Sequence, residues 1–167
     1  MRLLAGTSPQ VQHPGRPTGG IRILLATALD LIRVRLRAVL EREDDMIVVG
    51  QSTSGEHLLA LALDARPDVL VIDSQLPGLG PLPATRALLA DPELSQLSIV
   101  IFHADDRAED LVHALRSGVN GFAFLGAEPA ECVRAVRAVA WGGTYLSRRA
   151  TQRLLDDLAA NAGGASS

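Results

Sequence analysis

Residues 67–78, P-D-V-L-V-I-D-S-Q-L-P-G, decide the fold. Val69, Leu70, Val71 and Ile72 form a continuous β-branched and aliphatic run with no polar alternation, the pattern of a strand buried on both faces of a parallel sheet. The run ends on Asp73, and Pro77 and Gly78 follow within five residues. In open parallel α/β sheets, ligands and chemistry sit just beyond the carboxyl ends of the strands. Asp73 therefore stands where a reactive carboxylate would stand. Aspartate is also a common turn starter ahead of a Pro-Gly pair, so the rest of the chain has to decide between the two.

Outward from this strand, the same unit repeats. Residues 21–26 (I-R-I-L-L-A), 46–50 (M-I-V-V-G), 97–102 (L-S-I-V-I-F) and 119–125 (V-N-G-F-A-F-L) are further buried strands. Helical spacing predicts helices over 54–65, 84–90, 105–117 and 128–141, and another after the first strand that turns Ile32, Leu36, Val39 and Leu40 inward. Thr27-Ala28-Leu29-Asp30 resembles a capping box, with Thr27 as N-cap. Arg33, Arg35 and Arg37 lie on that helix beside Glu41 and Glu43 and read as a solvated face. Five strands alternating with five helices imply a doubly wound parallel sheet. A flavodoxin-like strand order brings the ends of the first and third strands together. After the first strand comes Thr27-Ala28-Leu29, not a glycine-rich loop, which argues against a dinucleotide or P-loop site.

Composition narrows the function classes. Hydrophobic residues make up 47% and charged residues 21% of 167, which suits a globular domain. The net charge of -3 gives no general attraction to nucleic acid or anionic membrane. Cys132 is the single cysteine, so neither an internal disulfide nor a cysteine metal cluster can form. No apolar run approaches the roughly 20 residues that span a bilayer. A cytoplasmic location is the expectation. Residues 1–20, with three prolines and four glycines, read as a disordered leader, 21–146 as the domain, and 147–167 as a linker helix (148–160) with a flexible tail.

With these elements in place, the chain resembles a response-regulator receiver domain of the NarL/FixJ type over about residues 21–146. The resemblance rests on I-R-I-L-L-A, R-P-D-V-L-V-I-D-S-Q-L-P-G, A-L-R-S-G-V-N-G-F and A-V-R-A-V-A-W-G-G-T-Y-L-S, in that order. It implies a (βα)5 receiver fold. It also implies a phosphoacceptor aspartate at the end of the third strand, an acidic pair that binds Mg²⁺ at the end of the first, a Thr or Ser at the end of the fourth and a Lys at the end of the fifth. Asp73 matches the phosphoacceptor position. Thr27 and Ala28 replace the acidic pair, His103 the hydroxyl residue and Leu125 the lysine; Phe122 holds the position of the switch aromatic.

Those replacements change the expected chemistry. One carboxylate is a poor Mg²⁺ site, since that ion demands near-octahedral oxygen ligation. Without the lysine, nothing fixed offsets the charge of a phosphorylated aspartate. The expectation is an atypical receiver, working without aspartyl phosphorylation and with no metal or other cofactor. A conventional phospho-switch at Asp73 and a small-ligand sensor, with its pocket between Thr27, Ala28, Asp73 and His103, are the alternatives. His103 either pairs with Asp73 or faces solvent. A metal site from Asp73, His103, Asp105 and Asp106 is a minor alternative, because consecutive acids opening a helix serve the helix dipole.

The helix over 128–141 is apolar nearly all round, so Cys132, Ala135, Val136 and Val139 are the candidate dimer face and a homodimer the expected partner. Relatives of this type continue into a DNA-binding domain, and DNA contact is expected only through such a domain outside this chain. No enzyme activity is expected, since Asp73 and His103 have no nucleophile or second acid beside them in sequence.

Overall fold

The computed structural model describes residues 19–103, 111–124 and 128–164. In chain order the elements are β1 (Ile21–Ala26), α1 (Asp30–Leu40), β2 (Met46–Ser52), α2 (Leu58–Ala65), β3 (Val69–Asp73) and α3 (Pro81–Ala90). After a 3₁₀ turn at Pro92–Leu94 come β4 (Ser98–His103), α4 (Leu111–Arg116), β5 (Gly121–Phe124), α5 (Pro129–Ala140), β6 (Tyr145–Leu146) and α6 (Arg148–Gly163). The strands pair in the order β2-β1-β3-β4-β5-β6, every pair parallel. This is the doubly wound, flavodoxin-like receiver fold with one strand more than the five expected. The extra strand is Tyr145–Leu146, from the T-Y-L-S segment; its Tyr145 N–H donates to Asn120 O at 3.0 Å. Two residues are too few to show a strand period.

The continuous apolar runs are buried on both faces, and their alternation sorts the core into two layers. Leu24, Ala26, Leu70, Ile72, Ile99, Ile101, Phe122 and Phe124 face α2, α3, α4 and α6. Ile23, Leu25, Val69, Val71, Val100, Phe102 and Ala123 face α1 and α5. On α1, Leu36 and Leu40 are buried and Ile32 and Val39 pack beside them, as their spacing predicts.

Local chemistry moves several boundaries. The helix expected from residue 54 begins at Leu58, because Ser52 Oγ donates to Ser54 O at 2.8 Å and holds the chain in a turn. Gly55 then lies against the β3–α3 loop and donates its N–H to Pro77 O at 3.1 Å. A Cβ on Gly55 would sit 3.0 Å from Leu79 Cβ, so the two loops approach this closely only with glycine there. Conversely, α3 starts early, at Pro81, where the fixed φ of proline suits the first helical turn.

The expected dimer face does not survive. Cys132, Ala135, Val136 and Val139 are all buried within the chain's own core, with Val69, Val71, Val100, Phe102 and Leu36 around them. Helix α5 lies over the middle of the sheet with α1 along one flank and Tyr145 along the other. Its broad apolar surface therefore has partners within this chain. Burial pushes the Cys132 thiol up to about 12. The exposed large apolar side chains include Leu31, at 70%, and Val34, at 65%, both on α1.

Candidate functional site

The ends of β1 and β3 converge, as the strand order requires. Ala26 pairs with Ile72, so Thr27 and Asp73 are the next residues in register. The Thr27 hydroxyl donates to Asp73 Oδ2 at 2.8 Å. The other carboxylate oxygen, Oδ1, accepts the Gln75 N–H at 2.9 Å, a local turn that aspartate forms readily. Thr27 is fully buried and Asp73 is 1% exposed. Thr27 is thus not the N-cap of α1. Its Oγ1 accepts the Leu29 N–H at 3.2 Å, but its proton is committed to Asp73, and Leu29 occupies the cap position without a side-chain bond.

Ala28 is exposed at the mouth of this corner. It has no polar group to add. Arg33, read from sequence as part of a solvated face, reaches back to the site. Its guanidinium donates to Thr27 O at 3.2 Å and forms an ion pair with Asp30. The i, i+3 spacing of Asp30 and Arg33 is the only sequence signal for this arrangement.

His103 goes elsewhere. Asp73 pairs with Phe102, and His103 with Phe124, so parity along the strands places Asp73 on the α1/α5 face and His103 on the opposite one. The His103 ring lies 4.6 Å from Phe122 and 5.8 Å from Phe124, centroid to centroid, and is 8% exposed. An exposed, solvent-facing histidine is excluded. The register equally opposes the Asp73–His103 pair, because the two side chains leave the sheet on different faces. Phe122 is a core residue, 2% exposed, in the layer facing α4 and α6. Leu125, Asp105 and Asp106 lie outside the described residues.

The donor set at Asp73 does not fit Mg²⁺. One buried carboxylate with both oxygens already hydrogen-bonded, a threonine hydroxyl and an alanine offer too few oxygen ligands for an octahedral ion. Among the described residues, no three His, Cys, Asp or Glu side chains cluster to hold a metal. The small-ligand pocket expected between Thr27, Ala28, Asp73 and His103 does not assemble either: Thr27 closes on Asp73, and His103 is on the far face. A cleft of about 480 Å³ lies instead at the α5–β6–α6 junction, lined by residues that include Phe124, Glu131, Tyr145 and Arg148. Within it, burial raises the Glu131 carboxyl, which sits 3.4 Å from the Tyr145 hydroxyl.

Comparison with known proteins agrees with this architecture. Residues 23–137 match the response regulator receiver domain family, and the chain belongs to that family. It is 36% identical over 135 residues to the response regulator GacA of Pseudomonas viridiflava, covering 80% of this chain and 62% of that protein. To the nitrate/nitrite response regulator protein NarL of Escherichia coli K12 it is 32% identical over 139 residues, 83% of this chain and 63% of NarL. The crystal structure of a LuxR-family two-component response regulator from Aurantimonas sp. SI85-9A1 superposes with a TM-score of 0.78 at 26% identity, over 84% of this chain and 99% of that one. The chain thus spans less than two thirds of the length of GacA and NarL.

Proposed function

We propose that this domain is a regulatory receiver that works without aspartyl phosphorylation, within a regulator of transcription that meets DNA through a separate domain. The observation that carries this reading is the closed Thr27–Asp73 corner. At 1% exposure, with both carboxylate oxygens engaged, Asp73 is poorly placed to attack a phosphodonor. A phosphoryl group would add up to about two negative charges in a space where, among the described residues, no cluster of carboxylates is present to recruit a metal. GacA and NarL are named as response regulators, which supports a role in signal-dependent control. No helix of the described residues is long and apolar enough to cross a membrane, and we place the domain in the cytoplasm.

Its output is dimerisation through the exposed face of α1. Leu31 and Val34 share that face, one helical turn apart, beside the exposed Arg35 and Ala38. The surface is self-complementary in kind, with small and aliphatic groups at its centre and charge at its rim, as a two-fold contact requires.

Intact-mass measurement after incubation with Mg²⁺ and acetyl phosphate tests the central claim. The expected result is no phosphate adduct. An adduct that disappears in Asp73→Asn would establish the conventional phospho-switch instead.

A further inference from the structure

The cleft of about 480 Å³ at the α5–β6–α6 junction has a use that the Asp73 corner does not supply. Ligand pockets run from roughly 300 to 1,000 Å³, so this space suits a small molecule. Its walls differ in charge. The α5 side brings Glu131 and Arg134, with Glu128 just ahead of the helix. The α6 side brings only cations, Arg148 and Arg149, in the turn that Ser147 caps. Phe124 of β5 and Tyr145 of β6 add aromatic surface.

Some of these charges already have partners. Arg134 lies 3.6 Å from Glu128, and the Arg149 guanidinium carbon lies 6.0 Å from the centroid of the Phe124 ring. One charge of each sign is left over, on opposite walls. Glu131 Oε1 has a single long contact, 3.4 Å from the Tyr145 hydroxyl, and no donor reaches Oε2 among the described residues. Burial lifts the Glu131 carboxyl above its ordinary value, and the Tyr145 bond and the Arg134 and Arg149 charges offset only part of that. Across the cleft, the Arg148 guanidinium has no hydrogen bond or ion pair among the described residues.

We propose that this cleft binds an α-amino acid with an aromatic side chain. The ligand ammonium meets Glu131, its carboxylate meets Arg148, and its ring lies against Phe124 and Tyr145. Both polar contacts are charge-assisted, the stronger kind of hydrogen bond, and ring pairs add to them. The lining selects a zwitterion. A plain amine would answer Glu131 but face three arginines, a phosphate-type dianion would face two glutamates, and a plain carboxylate would leave Glu131 unanswered. The site shares no residue with the Thr27–Asp73 corner and does not depend on whether Asp73 accepts a phosphoryl group.

An NMR titration of the full chain with L-phenylalanine tests this, beside two analogues that each lack one charge, N-acetyl-L-phenylalanine and L-phenylalaninamide. A ligand of this size should bind with a Kd of about 1 mM or tighter, shifting amides around Glu131, Tyr145 and Arg148. Each analogue should bind about ten-fold more weakly, and so should L-phenylalanine to Glu131→Gln or Arg148→Met. Glu131→Gln should also lose the preference over the N-acetyl analogue, and Arg148→Met the preference over the amide. A general loss of structure would produce neither pattern. Arg37→Met, on α1, should bind as the parent does. No saturation well above millimolar concentration overturns the site, and equal binding of the three compounds overturns the zwitterion. Undiminished binding in either cleft variant overturns the assignment of its residue. Should one variant fail to fold, the other and the analogue series decide.

Discussion

Thr27 and Asp73 are joined across the β1–β3 junction by a 2.8 Å hydrogen bond, and neither side chain is open to solvent. A buried carboxylate depends on every donor it has. Thr27→Val keeps the shape and removes the donor, and should cost about 2 kcal/mol, the scale of a hydrogen bond to a charged group. Thr27→Ser should cost well under half of that. Urea unfolding of the three proteins measures both.

Thr27→Asp puts a second carboxylate where the hydroxyl now donates. Two carboxylates this close repel unless a cation lies between them. The variant should be less stable than the parent in EDTA by about 2–4 kcal/mol, on the scale of an uncompensated buried charge. It should also recover part of that loss in millimolar Mg²⁺. The parent should show no Mg²⁺ dependence. Thermal melts with and without the ion decide it.

Arg137 clamps the C-terminal part of α5 to the β2 side of the sheet. It donates to Asp45 at 2.8 and 3.0 Å and to Glu43 at 2.9 Å. The guanidinium beside Asp45 holds that carboxyl below its ordinary value. A carboxyl depressed in the folded state contributes stability that is fully present above its unfolded pKa and is lost as pH falls through the folded one. The stability gap between the parent and Arg137→Met should therefore be constant near neutrality. It should narrow as pH falls below about 4, where a free aspartate begins to protonate. Urea midpoints from pH 7 down to pH 2.5 test the sign.

Leu31→Glu and Val34→Glu leave the core untouched, because both side chains project from α1 into solvent. Unfolding midpoints should change by about 0.5 kcal/mol or less, as for surface substitutions generally. Light scattering after size exclusion should show a dimer for the parent and a monomer for either variant. A parent that is monomeric at high concentration would remove α1 as an interface.

Cys132 should be silent toward thiol reagents in the folded protein. Its thiol is buried and pushed up to about 12, so at pH 8 almost no thiolate is present to react. Ellman's reagent should report one thiol in urea and none in buffer.

Much of this molecule is legible in the sequence because its central strands are continuous apolar runs. Val69–Asp73 and Ile21–Ala26 read as short buried strands, and the strand order sets them side by side. The misread features share a physical origin. Proximity of strand ends in sequence alignment says nothing about face, and a one-residue offset between Phe102 and His103 sends the imidazole to the far layer. The apolar breadth of α5 states that the helix needs partners on several sides. It does not state whether they come from the same chain, and here they do. The Thr27 hydroxyl had two uses, capping α1 or donating to Asp73. Burial of the carboxylate settles that choice, and burial is a property of the folded chain.

The family match ends at residue 137, but the sheet does not. Tyr145 and Leu146 add a strand only two residues long, pairing with Gly121 and Phe122. Without it, β5 would be an open edge with Phe122 and Phe124 along it, the kind of row that recruits strands from other molecules. A short, capped final strand blunts that edge at little cost in length. An expression boundary drawn at the end of the family match would therefore yield a sticky domain, whereas one drawn after Leu154 would keep the edge covered.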